Sequence, residues 1–215
     1  MNVVAGGPAT RERLLDAARG LIETGGYRAA SVLAIAERAG VASGTVYRHF
    51  PSKAELFLEV FRAVCEGEER AMRVAADEAP AAAGAVGRVE AVLATFAERA
   101  LRNPRLAWTL LAEPVDQLVD AERLAYRRRY AAIVARELRA AIEAGEIPEQ
   151  DVAFTAAALV GGCGEALVGP LSPLARAAGA AGVGGAGGAA GAAGPAPAEV
   201  AASIRAFVRR AIGAR

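Results

Sequence analysis

Apolar residues in this chain recur three and four apart, and almost nowhere do they alternate one by one with polar residues. That spacing belongs to amphipathic helices rather than half-buried strands, so the expected fold is all-α. The 215 residues are 54% hydrophobic and only 5% aromatic, so much of the apolar material is Ala and Gly. The length allows one large domain or two smaller ones.

Several chemistries are poorly served by this composition. His49 is the only histidine, and Cys65 and Cys163 lie far apart, which leaves almost nothing for a zinc site. A His-based catalytic triad would have to use His49. Acidic pairs such as Glu66 and Glu69 fall on a polar helical face, so neither catalysis nor a cofactor or metal is expected. The N-terminus lacks a charged start followed by an apolar core, and no long, strongly apolar, uncharged stretch stands out beyond the Gly/Ala run near the end. A soluble cytoplasmic protein with no membrane partner and no structural disulfide is the expectation.

Local signals divide the chain. Residues 1–9 hold two glycines and a proline and read as a disordered arm. From Thr10, taken as an N-cap, Leu14, Leu15, Ala18, Leu21 and Ile22 share one face, and Gly25-Gly26 stops the helix. Short helices follow at about Ser31 to Ala39 and Ser43 to Phe50, the second ending before Pro51. Ser52 and Glu55 form a capping box for a fourth helix, running to about Ala75. Residues 10–62 are thus one domain and 63–215 a second. In the second, helices are expected at about 85–102, 104–112, 115–144, 149–168 and 197–212. The long central one is amphipathic through Leu124, Tyr130, Ile133, Val134, Leu138 and Ile142. Residues 175–195, almost purely Gly and Ala, read as a flexible loop.

The second and third helices are joined by Gly40-Val41-Ala42, which makes a helix-turn-helix pattern whose second helix can enter a DNA major groove. By pattern alone, DNA binding and plain structural packing are equally open. The residue types favour the first. Between Ser43 and Phe50 there is no acid; Val46 and Phe50 face inward, and Gly44 permits close approach of the backbone to DNA. Thr45, Tyr47, Arg48 and His49 can donate to phosphates or base edges, and Lys53 adds a cation. The only histidine and the only lysine of an Arg-rich chain both fall in this stretch. Charge adds weak support: from Thr10 to Arg62 eight basic residues stand against six acidic ones.

Ala34-Ile35-Ala36, Ala39-Gly40-Val41, Gly44 to Lys53 and Leu56-Phe57 together resemble the N-terminal domain of the TetR family of bacterial transcriptional regulators. The likeness spans about Arg13 to Val60. It implies three small helices docked on a long fourth helix, which leads into a helical regulatory and dimerisation bundle. It also implies a homodimer on a palindromic operator in double-stranded DNA, most often a repressor released by a small, largely apolar effector. By that resemblance Tyr47, His49 and Lys53 contact phosphates, Thr45 a phosphate or base, Arg48 a base edge, and Ser43 and Gly44 belong to the same surface. Two positions depart from the family pattern. Ala42 stands where a capping Ser is usual, a loss of about 1 kcal/mol unless Ser43 caps one residue later. Val32 stands where a phosphate-touching Thr or Ser is frequent.

The C-terminal region carries no comparable motif. Phe96, Trp108, Leu111, Tyr130, Ile133 and Phe154 fall on inward faces and suit either core packing or an effector pocket. Arg127, Arg128 and Arg129 could meet an anionic group or simply face solvent. Gly161, Gly162 and Gly164 interrupt an apolar helix at a cost of up to about 1 kcal/mol each, which close helix approach would offset. The resemblance implies a dimer interface on the last two long helices, so Gly161 and Gly164, with Ile204, Phe207, Val208 and Ala211 of the last helix, form the candidate dimer surface; the other reading is that both helices close the monomer's own core. The alternative is a non-catalytic helical protein-interaction module that keeps the helix-turn-helix shape without using it.

Overall fold

The computed structural model describes residues 7–174 and 196–214, and among them every regular element is helical. The Gly/Ala segment 175–195 and most of the expected N-terminal arm lie outside the described residues. Two compact units are defined by their internal packing: residues 1–65 with 105–123, and residues 66–104 with 124–215.

In the first unit, α1 (Pro8–Ala29) starts at Pro8 with Gly7 as N-cap, not at Thr10, which is buried within the first turn. Proline at the first helical position has no amide to leave unpaired, so the earlier start costs nothing. The expected break falls at Gly26, where φ is 75°. Helix α2 (Val32–Ala39) is capped by the Ser31 hydroxyl, which accepts from the Ala34 N–H at 3.1 Å, and ends at left-handed Gly40. Helix α3 (Ser43–His49) has Ala42 at its N-cap with no side-chain hydrogen bond, so the missing cap is not replaced. Helix α4 (Lys53–Asp77) opens with the Glu55 N–H donating to Ser52 Oγ at 3.1 Å. Leu14, Ala18, Ile22, Ile35, Ala36, Val46, Phe50, Leu56 and Phe57 are all buried and form this unit's core. Each large side chain among them contributes roughly 1.5–3 kcal/mol by leaving water. Helix α6 (Pro104–Leu111) and the start of α7 (Gln117–Glu143) complete the unit.

The second unit takes the rest of α4 and α7, with α5 (Gly84–Arg102), α8 (Val152–Leu171) and α9 (Pro197–Ala211). Helix α9 packs along α5 with Ala201, Ile204, Val208 and Ile212 inward, and Arg209 bridges to Glu90 at 2.7 Å. Helix α8 begins at Val152, capped by Asp151, and buries a single stripe of Ala156, Leu159, Cys163, Leu167 and Leu171. Its remaining positions are exposed or half-buried and largely apolar, and it is the one described helix long and apolar enough to cross a membrane. In sequence the stretch is less conspicuous, because Glu165 interrupts it and Gly and Ala dominate it. Glu137 is buried between Arg88 and Arg136; burial opposes its ionisation, but the two guanidinium hydrogen bonds prevail and hold its pKa below the ordinary carboxylate value. Leu124, expected inward on α7, is half exposed.

Candidate nucleic-acid interface

The turn between α2 and α3 is held by backbone bonds. Gly40 N–H donates to the Glu37 carbonyl at 3.1 Å and Val41 N–H to the Ala36 carbonyl at 3.0 Å, closing α2 with two of its orphan carbonyls satisfied. Helix α3 is then pinned by Val46 and Phe50, each almost wholly buried. The opposite side presents Gly44, Tyr47 and Arg48 to solvent, with Ser43 half-buried. Tyr47 is 56% exposed, uncommon for a large aromatic ring that no neighbour covers.

Gly44 has open space where a Cβ would stand. The protein's own packing therefore does not require glycine there. Arg48 Nη2 donates to Thr45 Oγ1 at 3.0 Å. Thr45 itself is only 4% exposed, so the structure sets it beneath Arg48 rather than beside it on the open face. His49 is half-buried, and its Nε2 is shielded with no hydrogen-bond partner.

Lys53 is more tightly held than a freely projecting cation. Its ammonium donates to the Tyr27 carbonyl at 2.8 Å and lies 3.8 Å from the centre of the Tyr27 ring. Burial lowers its pKa from the ordinary lysine value, opposed by the nearby Glu113 carboxylate. Burial likewise raises the Tyr27 phenol, with Asp116 adding to the effect. Arg11 lies over the Phe50 ring at 5.0 Å and bonds Glu59 at 2.8 Å, tying α1 to the end of α3 and to α4. Tyr27, Arg11 and Glu113 carry no motif, and sequence reasoning did not single them out.

The expected C-terminal sites are rearranged. Phe96 and Tyr130 meet with ring centroids 5.7 Å apart, and Ile133 is buried in the same unit. Trp108 and Leu111 belong instead to the first unit, because α6 packs there. Phe154 is 72% exposed, since it lies about half a turn away from the buried Ala156–Leu159 stripe of α8. Of the six residues, Phe96, Tyr130, Ile133 and Phe154 thus lie in one unit and Trp108 and Leu111 in the other.

The proposed dimer residues divide similarly. Ile204 and Val208 are buried within the chain itself by α5, so they are core residues, not a free surface. Gly161, Phe207 and Ala211 are exposed and Gly164 half-buried. Between α8 and α9 runs a groove of about 620 Å³ lined by Gly162, Cys163, Ala166, Pro170, Glu199, Val200, Ser203, Ile204 and Phe207. Burial pushes the Cys163 thiol up to about 11, so it is a packing group there rather than a nucleophile.

Residues 14–60 match the family described as "Bacterial regulatory proteins, tetR family". The HTH-type transcriptional repressor KstR of Rhodococcus jostii is 54% identical over 48 residues, which are 22% of this chain and 23% of that one. The aligned region thus spans under a quarter of that relative's length. Over the whole chain the likeness is one of fold. The fatty acid degradation regulator FadR of Bacillus halodurans superposes with a TM-score of 0.72 at 17% identity, covering 98% of this chain and 99% of that one. FadR of Bacillus subtilis, solved in complex with stearoyl-CoA, gives 0.69 at 19% identity over 92% and 96%.

Proposed function

We propose that the chain is a member of the tetR family of bacterial regulatory proteins, whose family model its residues 14–60 match, and a sequence-specific DNA-binding transcriptional regulator. The observation that carries this reading is the two-faced α3: Val46 and Phe50 anchor it, while Gly44, Tyr47 and Arg48 stand open without any acidic neighbour on the helix. In this reading Tyr47 and Lys53 bind phosphates, His49 can join them only once its shielded Nε2 is uncovered, and Ser43, Gly44 and Thr45 shape the same surface. Arg48 reads a base edge. Phosphate contacts fix position and the base contact gives preference.

The working unit we infer is a homodimer on a palindromic operator, because two recognition helices related by a two-fold axis reach successive major grooves. Support comes from the exposed apolar side of α8 and the groove it forms with α9, a face that a second copy would cover. We assign the interface to Gly161, Gly164, Phe207 and Ala211 and leave Ile204 and Val208 in the monomer core. Repression, with release by a small, largely apolar effector, is the regulatory mode we favour. The repressor function of KstR and the stearoyl-CoA held by the Bacillus subtilis FadR support it.

The test is a gel shift on the DNA upstream of the chain's own gene across a salt series. Binding should weaken steeply with salt, and Lys53→Ala should lower the logarithmic slope by about 1. Binding that is absent, or that salt does not change, would return the chain to the reading of a helical interaction module.

A further inference from the structure

Tyr27 sits directly after the Gly26 break in α1, and both of its backbone polar groups are taken by side chains distant in sequence. Its carbonyl accepts from Lys53 Nζ at 2.8 Å, and its N–H donates to Glu113 Oε2 at 3.3 Å. Glu113 is itself fixed. The Thr109 hydroxyl donates to it at 2.6 Å, and Arg105, which also donates to the Gly25 carbonyl at 3.0 Å, approaches it at 3.4 Å. Thr109 is fully buried, and the Glu113 side chain is partly buried, 14% exposed. An acid this enclosed is well placed to hold its partners in one geometry, since buried, fully engaged polar networks are stiff.

We infer that Glu113 is a positioning residue for DNA binding: through Tyr27 it holds the Lys53 ammonium at the start of α4, beside the recognition helix. The inference rests on the reading of Lys53 as a phosphate ligand. An ammonium has three donors. One goes to the Tyr27 carbonyl, and the ring face steadies the charge, so the remaining donors are presented from a fixed point rather than from a flexible four-carbon stem. Lysine normally loses considerable side-chain freedom when it binds; here part of that loss is already incurred in the free protein. Shifting the segment just after α6 that carries Glu113 would free Tyr27 and release Lys53 from its fixed place. The segment thereby becomes a control point for DNA affinity that touches no DNA.

The experiment uses the full chain and a duplex it enriches from a random pool. Dissociation constants are measured across salt for the parent, Glu113→Ala, Lys53→Ala and the double variant. Glu113→Ala should weaken binding about tenfold and, in the Lys53→Ala background, by less than about twofold. It should also lower the salt slope by about 1, as Lys53→Ala does. Simple destabilisation would reduce the active fraction and leave that slope alone. Should Glu113→Ala fail to fold by circular dichroism, Thr109→Val loosens Glu113 more gently and should move both readouts the same way. Multiplying effects in the double variant, or an unchanged slope, would overturn the inference while DNA binding stands. So would a Lys53→Ala variant that binds like the parent. If no duplex is enriched, the regulator reading fails first and takes the inference with it.

Discussion

Gly84 and Glu146 are fitted to each other. Gly84 has φ of 64°, a conformation that favours glycine, and a Cβ there would meet the Glu146 carboxylate at 2.5–2.8 Å. The space left open lets Glu146 reach the start of α5, where its two oxygens accept from the Ala85 and Val86 N–H groups at 2.9 Å each. An acid some sixty residues away in sequence thus does what an N-cap side chain does locally.

Removing that cap should cost stability in a pH-dependent way. The two backbone N–H groups hold the Glu146 pKa below the ordinary carboxylate value. Its contribution is therefore complete above about pH 4.5 and is lost as pH falls through the lower, folded value. Glu146→Ala should destabilise by about 1 kcal/mol at pH 7. Melting curves at descending pH should show the parent and variant converging as pH falls below the ordinary carboxylate range. A gap that stays constant to low pH would contradict the assignment.

Core and surface on α9 should separate cleanly. Ile204→Ala should destabilise the folded chain by about 2–5 kcal/mol, because Ile204 is buried against α5. Phe207→Asp should leave denaturant unfolding of the monomer nearly unchanged, since the ring is 42% exposed and merely covers Gly162. Light scattering should show Phe207→Asp as a monomer that no longer shifts operator DNA. A Phe207→Asp dimer would remove this helix from the interface.

Effector release has its own signature. Trp108 is the only tryptophan, so its emission has no competing source. Titrating long-chain acyl thioesters should raise the operator dissociation constant; even 1.4 kcal/mol of differential affinity gives about a tenfold change. Where the same compounds alter Trp108 emission, the two changes should share one concentration range. An emission change with constant DNA affinity would mean occupancy without coupling.

The helix-turn-helix was legible because its signals are local. Ser31, Gly40 and Ser52 each act on backbone groups within a few residues, so their spacing alone places three helix ends. Periodicity also placed the apolar stripe of α9 but could not say what covers it, and so Ile204 and Val208 were grouped with Phe207. Phe154 misled for a similar reason: an aromatic in an apolar helix reads as buried until the stripe that faces the core is known. Trp108 fell in the other unit because α6 packs by tertiary contact that no pattern encodes. The bonds Tyr27–Glu113 and Val86–Glu146 span 86 and 60 residues. Neither leaves a mark in local sequence.

Whether α3 reads DNA is decided most directly by the sequence preference of the purified chain in selection from a random duplex pool. The expected result is an enriched inverted repeat, with the two half-sites about one helical turn apart. Arg48→Ala should relax preference at one position in each half-site, while Tyr47→Ala and Lys53→Ala weaken all sequences alike. A pool that emerges unenriched, or Tyr47→Ala and Lys53→Ala variants that bind as tightly as the parent, would contradict it.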